Sequence, residues 1–591
     1  MSIRRIIAWW LPFAACGSPT PQTVAPVPDP SARYAPLPPV QQLVRVSMAL
    51  RGLRPSATEV AEVEADPRAI DAIVDRYLDS AEFAASIKDM HAELYLVRAD
   101  TNDPFPSLGI LEDYTTQQLF EATSEEPLEL VKWVVTNDLP YTEIVTADYV
   151  VANDVLSLIY GLDHPPGDPT WSPTHYEDGR PHAGVLSTSE PYRRHVSNGS
   201  NFHRGRANFW ATTLLCESFA TRDVVVEGGV DLSDEAAVAE AVRTNPTCVG
   251  CHQALDPMAD LFWGFRRQLT GRNVRIGEGG GCRADVDDAI NEPEQDYSFA
   301  TDICYPLNFY TPANEGLWDD VGLRPPSYYG TPVHDLADLG AQIAADPRFA
   351  QCSARQFYRW FAEIGLDEVG PAQSAALQQT FASVGYRVKP YLKSVVLSEP
   401  FLARERLDPA ADPAIPLQVV RPEQYGRTIE QLTGFQWLAV ADRATCGDEC
   451  WGAIDLAQSD VFGYRAMSGG VDGLTVTHPT HTVTPVKLLV ATRFATEAAS
   501  YVVRTDFDAA PADRHLLGGV EADTTDEAAI RAVLAELSLK ILTERVDPAG
   551  PEVDGWYDLF AGALADHGGD TRAAWTVTIS AFLRDPTLLY Y

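Results

Sequence analysis

Five residues, Cys248-Val249-Gly250-Cys251-His252, restrict what this chain can fold into more than any other stretch. Two thiols at i and i+3, followed at once by an imidazole, can reach one flat object together only on a helix, where positions i, i+3 and i+4 share a face. The preceding Asn245 and Pro246 supply the start of that helix. Asparagine accepts a hydrogen bond from the first unpaired amides, and the fixed φ of proline suits the first helical position. The pattern is the attachment signature of c-type haem, in which both thiols add to vinyl groups and the imidazole ligates iron. The expectation is one covalent haem c, anchored by Cys248 and Cys251 and ligated by His252. Two other readings stand beside it. A structural zinc site would need further ligands, but the chain has no second Cys-x-x-Cys, and adjacent Cys and His are awkward for a tetrahedron. The remaining alternatives are a Cys248–Cys251 disulfide or coincidence.

Covalent haem attachment in bacteria takes place outside the cytoplasm, and the chain opens on MSIRRIIAWWLPFAACGS. Arg4 and Arg5 precede an apolar run from Ile6 to Ala15, too short for a permanent span and of the right length for a secretory signal. The ending Phe13-Ala14-Ala15-Cys16 resembles a lipoprotein cleavage box, which makes Cys16 a candidate lipid-bearing N-terminus; an ordinary signal peptide cleaved nearby is the alternative. Localisation is therefore expected at the outer membrane, in the periplasm or on the cell surface. Eight prolines between residues 18 and 40 read as an extended tether reaching ~70 Å, at about 3 Å per residue in the polyproline form.

A formal charge of -38, from 83 acidic against 45 basic residues, argues against nucleic acid or an anionic membrane face as partner. Membrane association is expected only through the N-terminal lipid. Setting aside Cys16, Cys248 and Cys251, six cysteines remain: Cys216, Cys282, Cys304, Cys352, Cys446 and Cys450. An even remainder in an exported chain suggests disulfides. Local spacing favours Cys446 with Cys450 and Cys282 with Cys304, which leaves Cys216 for Cys352, although other pairings are open.

The fold class expected is mainly α, a multi-domain helical protein with a cytochrome c-like haem-attachment helix and long irregular loops. Ser56 and Glu59 form a capping box, and Ile70, Ile73, Val74, Tyr77 and Leu78 lie on one helical stripe. Further helices are predicted over 116–136, 205–216, 336–365, 371–398, 485–503, 526–543 and 551–583. Residues 163–182 and 271–330 crowd Pro, Gly, Asp and aromatic residues without period and read as long loops. The expected organisation is a signal peptide and lipobox over 1–16, a Pro-rich tether over 17–40 and a helical domain over 41–165. A haem-attachment domain over 183–270, an irregular insertion over 271–330 and helical domains over 331–405 and 415–591 follow.

Several segments carry a resemblance. Thr146 to Asn153, ending at Tyr160-Gly161, is similar to one of a group of cytochrome-associated domains of unknown function in exported bacterial proteins, first noted in planctomycetes. Gly184 to Ser187, His195, Arg204-Gly205, Leu214 to Cys216, Asn245-Pro246, Cys248, Cys251, His252, Asp256-Pro257 and Phe265 resemble the adjacent family. Phe349 to Cys352, Ser398 and Phe401 resemble the family that usually follows. Arg421 to Tyr425, Thr428 and Leu432 to Gly434 resemble a domain normally placed upstream. Where the family pattern reads Gly, an acidic residue and Phe-Asp after the motif, this chain has Ala259, Trp263 and Phe265-Arg266. The resemblance implies location and cofactor rather than a reaction.

The second axial ligand decides between functions. Methionine raises the potential, a second histidine lowers it, and an open position permits peroxide or small-ligand chemistry. His195 matches a histidine of the resembled motif and is the first candidate for a second metal ligand; His203 and then Met467 follow. Met258, six residues past His252, reads as core packing. Trp171, Tyr176, Trp318, Tyr328 and Tyr329 read either as a carbohydrate-stacking surface or as small satellite cores. Asp285, Asp287 and Asp288 read as a solvated acidic turn rather than a calcium loop. Without a phosphate-binding glycine loop, a Gly-x-Ser-x-Gly elbow or a His-Glu-x-x-His pair, hydrolase readings have no residues to name. The function expected is electron transfer with a redox protein partner. The alternatives are a peroxidase-like haem oxidoreductase acting on a small or polymeric substrate, and a cell-surface scaffold with structural haem.

Overall fold

Ser56 starts its helix as the sequence suggests: its hydroxyl accepts from Glu59 N at 3.2 Å and the Glu59 carboxylate accepts from Ser56 N at 2.7 Å. In this computed structural model, which describes residues 32–99, 105–197, 201–221, 230–231, 233–267, 305–441, 452–459 and 462–591, such helices dominate. The first four, α1 (Pro39–Arg51), α2 (Ala57–Ala65), α3 (Ala69–Leu78) and α4 (Ala81–Tyr95), form one packed group. The whole stripe Ile70, Ile73, Val74, Tyr77 and Leu78 is buried in it.

The helix predicted over 116–136 is α5 (Thr116–Thr136). After α6 (Glu143–Thr146) and α7 (Asp154–Tyr160) come α8 (Glu190–Arg194), α9 (Arg204–Leu215), α10 (Glu235–Thr244) and α11 (Pro246–Ala259). Three long predicted helices are each two. The 336–365 segment is α13 (Leu336–Ala345) and α14 (Pro347–Ala362), after the short α12 (Leu317–Asp320). Pro347 cannot continue the preceding helix, and the Asp346 carboxylate caps the next by accepting from Arg348 N at 2.8 Å. The 371–398 segment breaks between Ser383 and Val388, where Gly385 and Tyr386 take positive φ. Gly568 and Gly569 do the same within 551–583. The helix predicted over 526–543 runs from Glu527 to Leu537 and ends in a π turn over Ser538–Leu542, and that predicted over 485–503 extends to Asp508.

Strands are few and short, and they pair antiparallel in twos. The first, β1 (Tyr34–Pro36), corrects the expected tether over 17–40: its last part belongs to the folded body, pairing with Ala403–Arg406 in the register Tyr34↔Arg406. Tyr34 is buried and its hydroxyl donates to Asp412 O at 2.8 Å. Pro38 and Pro39 occupy the N-cap and first position of α1, so these prolines start a helix. The loop expected over 163–182 likewise holds a strand, Ser172–Thr174, paired with Val150–Ala152. Residues 1–31 and 268–304, with the candidate lipidation site Cys16, the pair Cys282 and Cys304, and Asp285, Asp287 and Asp288, lie outside the described residues, as do Cys446 and Cys450.

One contiguous buried apolar cluster runs from Leu43 to Tyr591, with contributions from the 41–165, 183–270, 331–405 and 415–591 segments alike. Arg421 crosses between them, pairing with Glu93 at 2.6 Å and Glu363 at 3.1 Å, and Arg427 pairs with Asp89 at 2.6 Å. Tyr176 and Tyr328 belong to this main cluster, and Trp171 and Tyr329 are half-buried against it, so these aromatics join the large core instead of forming small satellite ones. Among the described residues no helix is long and apolar enough to cross a membrane.

Candidate functional site

Asn245 caps α11 through its side-chain oxygen, which accepts from Thr247 N at 3.0 Å, and Pro246 follows at the first helical position. The helix then carries Cys248, Cys251 and His252 on one face, and all three line a single cavity of about 370 Å³. The facing wall comes from α9 and the residues after it: Arg204, Gly205, Asn208, Phe219 and Ala220, with Leu255 from α11 itself. Cys248 and Cys251 are half-buried free thiols, so the i, i+3 pair is not bridged to itself.

His252 is held from behind. Its Nδ1 hydrogen-bonds Asp256 Oδ1 at 2.8 Å, one turn further along α11. The same carboxylate takes two bonds from Arg204 at the start of α9, Nε to Oδ1 at 2.7 Å and Nη2 to Oδ2 at 3.1 Å. Burial alone would raise the Asp256 carboxyl; the hydrogen bonds from His252 and Arg204 and the charge of Arg204 outweigh it and hold the group below the usual carboxylate range. An ionised acceptor on Nδ1 fixes the proton there and leaves Nε2 as the lone-pair nitrogen. Another turn along, Asp260 is buried, with Trp263 Nε1 donating to Oδ1 at 3.1 Å. Burial, with the charge of Asp256 adding to it, pushes this carboxyl up to about 8.

His195 is placed elsewhere. Its ring stacks on Phe209, centroids 3.9 Å apart, its Nε2 lies 3.3 Å from Tyr95 O, and it does not line the cavity with His252. Burial, reinforced by Arg194, pushes it down to about 3, so it stays neutral. His203 is also in the core, edge-on to Trp263 at 5.5 Å, with Nδ1 accepting from Arg206 Nη1 at 2.9 Å. Met258 is buried in the core as expected, and Met467 lies exposed on a separate short helix, Tyr464–Met467. Of the departures from the resembled pattern, Ala259 and Trp263 pack in the core and Arg266 is buried with its Nε donating to Asn308 O.

At the far end of α9 the sequence leaves Cys216 for Cys352, and the structure joins these two, with Cα atoms 5.4 Å apart. The residues that sequence reasoning missed are Asp256 and Arg204 as partners of His252, and Asn208 and Phe219 as the wall. Asp256 had a legible signal, an acid four residues after the histidine on one helical face. Arg204 had none, since only the packing of α9 on α11 brings it there. Among the described residues no group of three or more His, Cys, Asp or Glu side chains is arranged to hold a metal ion.

Neither a curated protein nor a solved structure matches the chain. The family model described as "PSD4: Protein of unknown function (DUF1592)" matches residues 45–162, from α1 to the end of α7, and includes the Thr146–Gly161 stretch. The match ends before the Cys-x-x-Cys-His helix. The chain therefore carries, over residues 45–162, a domain of a protein family of unknown function.

Proposed function

We propose that the chain is an exported c-type mono-haem protein that passes single electrons to and from a redox protein partner. One observation carries the reading: the three side chains of the Cys-x-x-Cys-His run line a single cavity whose other walls include Phe219, Ala220 and Leu255. Those groups fit a covalent haem. Cys248 and Cys251 are free to form thioethers, His252 has its Nδ1 engaged and its Nε2 available for iron, and Phe219, Ala220 and Leu255 would offer the ring apolar contact. Haem in such a site supplies a one-electron iron couple. The chain's own residues hold, orient and shield it: the helix start at Asn245 and Pro246 sets the spacing of the anchors, and Asp256 fixes the imidazole tautomer. Export and lipidation at Cys16 belong to the same reading and rest on the N-terminal sequence.

A second reading, a ligand-binding or peroxidase-like haem, is favoured by the lining of the cavity. All twelve histidines, and every methionine except Met1, lie within the described residues, yet only His252 among them lines it. The protein matured in a host competent for cytochrome assembly is expected to give a pyridine haemochrome spectrum of the thioether type, lost in Cys248→Ala/Cys251→Ala. A wild-type protein without that spectrum, its two thiols still open to alkylation, removes the haem reading. Cyanide then separates the two functions: a shifted ferric spectrum marks an open sixth position, and an unmoved low-spin spectrum leaves electron transfer.

A further inference from the structure

We propose that Asp256 is a positioning residue that sets the electron-donating strength of His252, and that Arg204 is the counter-charge limiting its pull. The proposal rests on the haem reading above and adds to it a pair of residues outside the attachment motif. Four observations carry it. The Asp256–His252 contact is short, 2.8 Å, and its partners are locked one turn apart on the same helix, so ring and carboxylate cannot drift independently. The carboxylate is almost fully buried, its side chain 6 % exposed, so water does not dilute its charge at the ring. It is clamped from the opposite element by both Arg204 bonds, which fix its rotation as well as its charge. Arg204 also lines the cavity, so the clamp and the ligand belong to one site.

The physical consequence is directional. A carboxylate that accepts from Nδ1–H makes the imidazole a stronger donor through Nε2, which favours the ferric over the ferrous state. A neutral acceptor does this less. Arginine bound to the same carboxylate takes up part of its charge, so removing the arginine should strengthen the pull while removing the acid abolishes it. The two substitutions must therefore move the iron couple in opposite directions, an outcome that mere loosening of the pocket cannot produce.

The test is the full-length holoprotein with Asp256→Asn, Asp256→Glu and Arg204→Gln, each first checked for attached haem by pyridine haemochrome. Spectroelectrochemistry is expected to show the reduction potential raised in D256N, returned toward wild type in D256E and lowered in R204Q. Resonance Raman of the ferrous protein is expected to show a weakened iron–histidine stretch in D256N. A D256N protein with haem attached and both readouts at wild-type values overturns the proposal, as does a shift of the same sign in D256N and R204Q. If D256N does not retain haem, the sign of the R204Q shift decides alone, and a rise overturns the proposal. A wild-type protein without haemochrome fails the haem reading itself, and this proposal with it.

Discussion

Glu126 is fully buried in α5 and accepts from Ser189 N at 3.0 and 2.9 Å, from Glu190 N at 3.1 Å and from the Tyr176 hydroxyl. One carboxylate thus ties a helix interior to the turn that starts α8 and to the loop after Leu162. Burial pushes its pKa up to about 8, against the opposing charge of Arg180 and the two backbone amides. A folded pKa above the unfolded one means that this group's contribution to stability is complete below about 4.5 and is lost as pH rises through about 8. Chemical denaturation at stepped pH should show that decline flattened in Glu126→Gln. Glu126→Ala, which removes the acceptor of two buried amides and a hydroxyl, should lower stability by about 3 kcal/mol near the acid end of that window, and the deficit should shrink as pH rises toward 8. Nothing in the sequence marks Glu126: it sits in an acidic pair, Glu125-Glu126, of which Glu125 goes to Arg98 at 2.6 Å and only its neighbour faces the core. Asp256 is the contrary case, legible because four-residue spacing on a helix is a geometric statement in itself.

Capping and proline chemistry made the element ends legible wherever the signal was local. Asn245-Pro246 and Ser56 with Glu59 begin helices where their side chains say they should. What the periodicity could not see was interruption, because 336–365 and 551–583 keep their apolar period across breaks made by Pro347 and by Gly568-Gly569. Pro36, Pro38 and Pro39 misled in the opposite sense, since composition reads as a tether where pairing with a strand nearly 370 residues away decides the outcome. That strand is a testable joint. A chain beginning at Ala32 keeps Leu37 N bonded to Leu402 O at 2.9 Å, Leu407 N to Arg33 O at 2.9 Å and the Tyr34 hydroxyl to Asp412 O. One beginning at Val40 loses all three, and with them on the order of 2 kcal/mol, measurable as a lower urea midpoint with the helical signal retained.

At the scale of the molecule, the excess of acidic residues gives the proposed electron transfer a sign. A body with formal charge -38 attracts cationic partners through a field that salt screens over about 10 Å. Stopped-flow oxidation by a cationic metal complex should slow as ionic strength rises, and by an anionic complex should quicken; two reagents with the same salt response would place the reacting edge away from that field. That segments expected as separate domains share one core was not legible, because the apolar faces of each segment do not say which partner they meet, and the role of a buried arginine such as Arg421 appears only when Glu93 and Glu363 arrive beside it. A consequence for handling follows from α9, which begins at Arg204 beside the cavity and is followed directly by Cys216, covalently fastened to Cys352 on α14. The post on which that arginine stands is thus bolted at its far end, and reduction of the Cys216–Cys352 bond would draw the bolt. On the proposed haem reading, preparations that fade in a dithiothreitol buffer and keep their colour without it would be reporting on the scaffold's mechanics before they report on iron.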